Sequence, residues 1–121
     1  MTAPHDPPTA AQLTEAVREW LESQVMPNVS GAMQFHARVA VNVLAMVERE
    51  IEFGPAQAER HKAGLVDLGC ADDAELARRI REGAFDAGGV ESAGVVRADV
   101  EAFVFDSVVD KLRVANPKYL R

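Results

Sequence analysis

The stretch "FHARVAVNVLAMVERE", Phe35 to Glu50, decides the fold of this chain. Its apolar residues recur so often that a helix built from it is apolar around most of its circumference. A helix of that kind is surrounded by other helices or covered by a partner. No segment of the chain shows the sustained two-residue alternation of a half-buried strand. We therefore predict an all-α protein, a small bundle of four to five helices with a long central helix and a long C-terminal helix.

Local signals predict where the first two helices begin and end. Thr9, followed three residues later by Gln12, forms a capping-box pattern that opens a helix. Pro27 ends this helix, because a proline ring removes a backbone donor and clashes with the preceding turn. The central helix is expected to run from about Gly31 to Phe53. It should stop at Gly54–Pro55, since a glycine followed by a proline is a common helix end.

Similar local signals predict the helices and loops in the rest of the chain. Three further helices are predicted, over residues 55–68, about 72–81 and about 95–115. A glycine-rich loop is predicted over residues 83–94, between the last two of them. Leu76 and Ile80 should form the buried side of the helix over 72–81. Residues 1–8 are rich in proline and are expected to form a flexible arm. Residues 9–121 are predicted to be a single helical-bundle domain.

Composition excludes several classes of function. A hydrophobic content of 48% with 26% charged residues is typical of a globular chain. The net charge of -6, from 19 acidic and 13 basic residues, argues against nucleic-acid binding, which needs clustered Lys and Arg. The same balance disfavours binding to anionic membranes, and no apolar run reaches the roughly 20 residues of a membrane span. With one cysteine and no signal-peptide pattern, a cytoplasmic location is expected.

The central helix carries one consistently polar stripe, formed by Arg38, Asn42 and Arg49. Their spacings place them on one line along the helix, joined by the small residue Ala45. In the functional interpretation this stripe is an anion-binding ridge, because guanidinium groups suit carboxylate and phosphate. In the structural interpretation the arginines pair with acidic side chains of a neighbouring helix or of a second subunit.

His36 lies within the apolar arc of the same helix, away from this stripe. It is either a core or interfacial histidine that donates to a backbone carbonyl, or a proton carrier in a buried pocket. The candidate ligand-binding residues predicted from the sequence are therefore His36, Arg38, Asn42 and Arg49.

Sequence spacing gives no support for a metal or a catalytic centre. His5, His36 and His61 each lack a second ligand at the one-turn spacing of a zinc motif, and Cys70 stands alone. No serine lies in a nucleophile-elbow context, and the glycine-rich loop is not followed by the Lys-Ser/Thr of a phosphate-binding loop. We therefore predict no catalytic residues, no metal and no cofactor, and expect a protein that is not an enzyme.

Three segments together resemble a known family: "HDPPTAAQLTEAVREWLE", "FHARVAVNVLAMVEREIEFGP" and "VVDKLRVANPKYL". The resemblance is to small bacterial domains of unknown function. These domains occur beside, or fused behind, aminoglycoside-phosphotransferase-like kinases, in gene neighbourhoods with acyl-CoA dehydrogenases. It implies a helical domain and a kinase-like partner, and it carries no active-site residues.

Two hypotheses follow. The first is a non-enzymatic accessory domain that binds a partner protein, a phosphotransferase-like enzyme of acyl or small-molecule metabolism. Such a domain would also form a homodimer, through Val39–Val47 or through the last helix, because two helices carry more apolar surface than so short a chain can bury. The second is a helical bundle that binds or converts a small anionic ligand in a pocket near His36, Arg38, Asn42 and Arg49.

Overall fold

The computed structural model describes residues 3–86 and 94–121. In this part of the chain there are four α-helices and no β-strand: α1 (Ala10–Trp20), α2 (Gly31–Asp67), α3 (Asp73–Arg81) and α4 (Arg97–Ala115). A π-helical turn (Leu21–Val25) and a 3-10 turn (Met26–Asn28) follow α1, and a second 3-10 turn (Pro117–Leu120) follows α4. The predicted all-α fold with a long central and a long C-terminal helix is confirmed. Of the loop predicted over 83–94, residues 87–93 lie outside the described residues.

The helix starts follow the local signals in the sequence. The Thr9 hydroxyl accepts a hydrogen bond from the Gln12 backbone N–H (3.2 Å), and the Gln12 side chain accepts one from the Thr9 N–H (2.8 Å). This pair is the predicted capping box, and it satisfies two backbone donors that a helix start leaves open. At α3 the Asp72 carboxylate accepts from the Glu75 N–H (2.8 Å) in the same way.

The central helix is longer than predicted. α2 continues through Gly54 and Pro55 without interruption, so the predicted helix end at this pair and the separate helix over 55–68 are wrong. Gly54 does not adopt the positive φ of a helix-ending glycine. Because Gly54 has no Cβ to clash with the Pro55 ring, the helical conformation before the proline is less strained than it would be for another residue. The helix therefore loses about one hydrogen bond at Pro55 and continues.

α2 ends instead at a Schellman motif. Gly69 has a φ of 74°, a left-handed conformation that glycine adopts without a steric cost. Its N–H donates to the Val66 carbonyl, and the Cys70 N–H donates to the Leu65 carbonyl, both at 2.9 Å. These bonds satisfy carbonyls that the last turn would otherwise leave unpaired.

The chain divides into two compact units. The first unit comprises Met1–Pro55, Val114–Tyr119 and Arg121, and the second comprises Ala56–Arg113 and Leu120. The flexible arm over 1–8 and the single domain over 9–121 stay predictions.

The second unit contains a well-buried core. Its buried cluster comprises Leu65, Leu68, Cys70, Leu76, Phe85 and Val100, with Val95 and Phe103 packed against it. Leu76 is buried as predicted, whereas Ile80 is 45% exposed and the prediction for it is wrong. Ile80 lies one turn further along α3, where it contributes to the wall of a surface groove together with Val104 and Val108.

The first unit buries much less apolar surface. On the part of α2 that belongs to it, Ala37 and Val41 are buried, whereas Val39 and Val43 are 43% and 51% exposed. The sequence predicts that so apolar a helix is covered on most sides, and the described residues of the chain leave Val39 and Val43 on this part of α2 uncovered. The exposed valines are therefore available to a partner.

An ion pair joins α1 to α2 in the first unit. The Arg18 guanidinium donates from Nε to one Glu48 oxygen (2.5 Å) and from a terminal nitrogen to the other (3.3 Å). Both side chains are about four-fifths buried. Hydrogen bonding to Glu48 raises the pKa of Arg18, so the Arg18 guanidinium stays charged at any physiological pH.

Candidate anion-binding site

Two of the four predicted site residues line a cavity of about 430 Å³ in the first unit. Asn42 and Arg49 lie two turns apart on α2, so both side chains leave the helix on the same side. Asn116, Lys118 and Arg121 line the cavity from the chain that follows α4. The remaining walls are apolar and are formed by Ala45, Met46, Ala115 and Pro117. The volume is within the range of small-molecule sites.

Arg49 is held in place by the end of α4. Its Nε donates to the Val114 carbonyl (2.7 Å), one of the last carbonyls of the helix, which have no partner within the helix. A cation is also favoured there by the negative end of the helix dipole. Since Nε makes this bond, the guanidinium orientation is fixed while its two terminal nitrogens remain free to bind a ligand.

The charge of this cavity is opposite to that of the whole chain. Arg49, Lys118 and Arg121 contribute three cations and Asn42 and Asn116 contribute two amides, and none of the described side chains that line the cavity is a carboxylate. The chain as a whole carries a net charge of -6. A concave, partly apolar site that concentrates positive charge is suited to an oxyanion, because guanidinium and ammonium groups donate charge-assisted hydrogen bonds to it.

The other two predicted residues, His36 and Arg38, are exposed and do not line this cavity. The His36 ring packs edge-on against Phe35, with the centroids 5.7 Å apart. Because its side chain is exposed, His36 is not a core histidine, and the interfacial alternative stays a prediction. Among the described residues neither Arg38 nor Arg49 forms an ion pair. The pairing of these arginines with acidic side chains of a neighbouring helix is therefore not found within residues 3–86 and 94–121.

Sequence reasoning missed Asn116, Lys118 and Arg121. The segment "NPKYLR" reads as a helix terminator, because Pro117 follows Asn116. The available signal was two cations within six residues after a helix end. Which helix these two cations approach depends on contacts between residues about 70 positions apart in the chain. Sequence spacing does not predict such contacts.

The second unit contains a Ser–His–Asp cluster that the sequence did not reveal. His61 Nε2 lies 2.6 Å from the Asp73 carboxylate, and its Nδ1 lies 3.4 Å from the Ser107 hydroxyl. The imidazole also packs against the Phe103 ring at a centroid distance of 4.9 Å. These three polar residues come from α2, α3 and α4, respectively.

This cluster has the composition of a catalytic triad but not its surroundings. Ser107 lies inside α4, and its hydroxyl donates to the Phe103 carbonyl (2.9 Å). The backbone N–H groups around it are used by the helix, so they cannot serve as the oxyanion donors that acyl transfer needs. The cluster is best explained as a polar connection between the three helices of the second unit.

Neither a metal centre nor a reactive thiol is found among residues 3–86 and 94–121. No group of three or more His, Cys, Asp or Glu side chains there could hold a metal ion. Cys70 is buried in the core of the second unit. Its burial raises the pKa of the thiol, which disfavours the nucleophilic thiolate.

None of the helices in the described residues combines the length and the apolarity of a membrane span. No curated protein and no solved structure matches the chain. One family does match, over residues 27–119, which include α2, α3, α4 and every residue that lines the cavity except Arg121. The chain belongs to this family, which is described as "Domain of unknown function (DUF6285)".

Proposed function

We propose that this chain is a non-enzymatic binding domain and that its ligand is a small oxyanion held by Arg49, Lys118 and Arg121. The observation that carries the proposal is the cavity that these three cations and two amides line together, with no carboxylate side chain among the described lining residues. Binding without catalysis is favoured because, in the part of the chain that the structure describes, no histidine, cysteine, serine or carboxylate side chain lines the cavity to act as a base or a nucleophile.

The residues that line the cavity limit which classes of ligand it can bind. Arg49 presents two terminal nitrogens, and the Asn42 and Asn116 amides add neutral donors, a set that fits either a phosphate or a carboxylate. Met46, Ala45 and Pro117 supply apolar surface beside these groups. The ligand we propose is therefore an organic phosphate or carboxylate with a small apolar part, rather than a bare inorganic anion.

We expect phenyl phosphate or benzoate to bind the full chain more tightly than inorganic phosphate does, because only the organic anions use the apolar walls. Isothermal titration calorimetry at low ionic strength measures the three affinities and shows whether phosphate or carboxylate is preferred. Arg49→Met should weaken binding of the best probe by roughly tenfold or more, the loss of one charged hydrogen-bond donor. Added salt should weaken it further.

Arg38→Met is the matched control, because Arg38 lies on the same helix, is exposed and does not line the cavity. It should leave the affinity unchanged. Lys118→Met tests the site a second time without removing the bond between Arg49 and Val114, and it too should weaken binding. The proposal fails if none of the probes binds, or if Arg38→Met reduces the affinity as much as Arg49→Met.

A second function is favoured by the exposed apolar row of α2, which we define as Val39, Val43, Met46 and Val47. Each of these side chains is at least 37% exposed. They recur at three- and four-residue spacing, so they present a continuous strip of apolar surface. We propose that this row is the surface by which the domain serves as an accessory protein. Its partner would be a phosphotransferase-like kinase of acyl or small-molecule metabolism, as the sequence resemblance implies.

If so, co-expression of the chain with such a kinase should yield a complex that survives size-exclusion chromatography. Val43→Glu should abolish the complex, because it would place a charge in the centre of an apolar contact. Val66→Glu is the control: Val66 is also an exposed valine of α2 but lies outside the row. A complex unaffected by Val43→Glu, or no complex with the unaltered chain, would contradict this function.

A further inference from the structure

The second unit carries an apolar groove of about 550 Å³ between α3 and α4. Its walls are formed by Ile80, Phe85, Val100, Val104, Phe105 and Val108, with Asp86, Arg97 and Glu101 at its edge. Phe105 is 67% exposed. A groove of this size, lined by so many large apolar side chains, is an energetic cost to a chain that remains alone in water.

The charges along α4 indicate what covers the groove. Arg97, Glu101, Val104, Val108 and Lys111 recur at alternating four- and three-residue spacing, so they form one stripe along the helix. The stripe has an apolar centre, Glu101 at one end of that centre and Lys111 at the other. Glu101 already accepts from Arg97 (3.0 Å). Lys111 is exposed and forms no ion pair among the described residues.

A stripe with opposite charges at its two ends is complementary to a second copy of itself that runs antiparallel to it. If two α4 helices pack antiparallel about a two-fold axis, Val104 can lie opposite the partner's Val108. In the same register Glu101 lies opposite the partner's Lys111, because both pairs have their midpoint at position 106. By symmetry each contact is made twice.

We propose that a second copy of this chain covers the groove, through an antiparallel α4–α4 contact centred on Val104 and Val108 and closed at each end by a Glu101–Lys111 ion pair between the subunits. This is a homodimer through the last helix, one of the two routes that the sequence left open. It is independent of the anion cavity and of the apolar row of α2, which belong to the first unit.

The size of the contact is consistent with a dimer of moderate strength. α4 has 19 residues and is therefore about 28 Å long. A stable dimer needs roughly 800 Å² from each partner. Two crossed helices alone fall short of that area, so the side chains that border the groove, Phe105 and Ile80, must also be covered.

Sedimentation equilibrium over a range of concentrations tests the dimer. The unaltered full chain should show a mass that rises from monomer to dimer. Val104→Glu should raise the dimer dissociation constant by about 30-fold or more, because the two-fold axis would bring two new carboxylates into the apolar centre. Val66→Glu, which adds the same charge at an exposed valine outside the groove, should leave the constant unchanged.

The charged ends are tested separately from the apolar centre. Glu101→Lys and Lys111→Glu should each weaken the dimer, since each places like charges opposite one another. The double substitution should restore it, because it exchanges the two signs while keeping the pairs. If either residue had a merely structural role, the double substitution would not restore the dimer.

The register is tested by cross-linking. In a variant carrying both Val104→Cys and Val108→Cys, mild oxidation should give a covalent dimer, because each new cysteine faces its counterpart in the other subunit. Either substitution alone should not, since the two copies of one position are offset by about 6 Å along the helices. Buried Cys70 should not interfere.

Three outcomes would overturn the proposal. One is a chain that stays monomeric at millimolar concentration, whether its groove is empty or filled by a partner of another kind. Another is a dimer that Val104→Glu leaves intact, which would place the contact elsewhere, for example on α2. The last is cross-linking by the single-cysteine variants but not by the double variant, which would exclude this register.

Discussion

Pro55→Ala should raise the free energy of unfolding by about 2 to 3 kcal/mol, an unusually large gain for one substitution. Proline in the interior of a helix costs about 3 kcal/mol relative to alanine, because it lacks the N–H and its ring crowds the carbonyl four residues earlier. Pro55 lies in the interior of the 37-residue helix α2. Alanine would restore the missing hydrogen bond, and denaturant unfolding followed by circular dichroism measures the gain.

Pro27→Ala is the matched control, because Pro27 lies at the start of the 3-10 turn Met26–Asn28, where a missing N–H costs little. Its effect should stay within about 1 kcal/mol. A helix that instead ended at Gly54–Pro55, as the local pattern suggests, would gain nothing from Pro55→Ala. The substitution therefore distinguishes one continuous helix from two.

Gly64→Ala should lower the free energy of unfolding by about 1 kcal/mol, although alanine is the better helix former. A Cβ at Gly64 would lie 2.6 Å from two carbons of the Phe103 ring, far inside van der Waals contact. Phe103 cannot easily move away, because it packs against the core of the second unit and against His61. Overpacking of this kind costs about 1 to 3 kcal/mol and exceeds the gain in helix propensity of about 1 kcal/mol.

Two further variants isolate the cause of this effect. Ala63→Gly, at the exposed neighbouring position, should also destabilise, by about 1 kcal/mol, because there only helix propensity changes. In a Phe103→Leu background, Gly64→Ala should cost much less than in the unaltered chain, since the smaller side chain leaves room for the Cβ. Equal costs in the two backgrounds would show that the close approach of α2 and α4 at this point is not what requires a glycine.

Short-range chemistry made most of the helix ends predictable. The capping box at Thr9 and Gln12, the cap at Asp72 and the glycine end at Gly69 each depend on residues within five positions of one another. Such signals favour a helix end independently of the tertiary contacts made by the rest of the chain. The signal that failed, Gly54–Pro55, marks a position where α2 continues although proline has a real local cost there.

Burial was harder to predict, because periodicity shows which side of a helix is apolar but not whether anything covers that side. Leu65, Leu68 and Leu76 are buried as their pattern indicates, whereas Val39 and Val43 have the same pattern and are exposed. The difference lies in which helices reach each segment of α2. This depends on contacts between distant parts of the chain.

The candidate site shows the same division. The sequence by itself determined that the protein is all-α, that its central helix carries one polar ridge and that Asn42 and Arg49 belong to it, because 3.6-residue periodicity is a local property. Only the tertiary structure decided that Arg38 and His36 lie outside the cavity and that Asn116, Lys118 and Arg121 complete it. A binding site requires groups that converge in space, and here they converge through the bond between Arg49 and the Val114 carbonyl, 65 positions away in the chain.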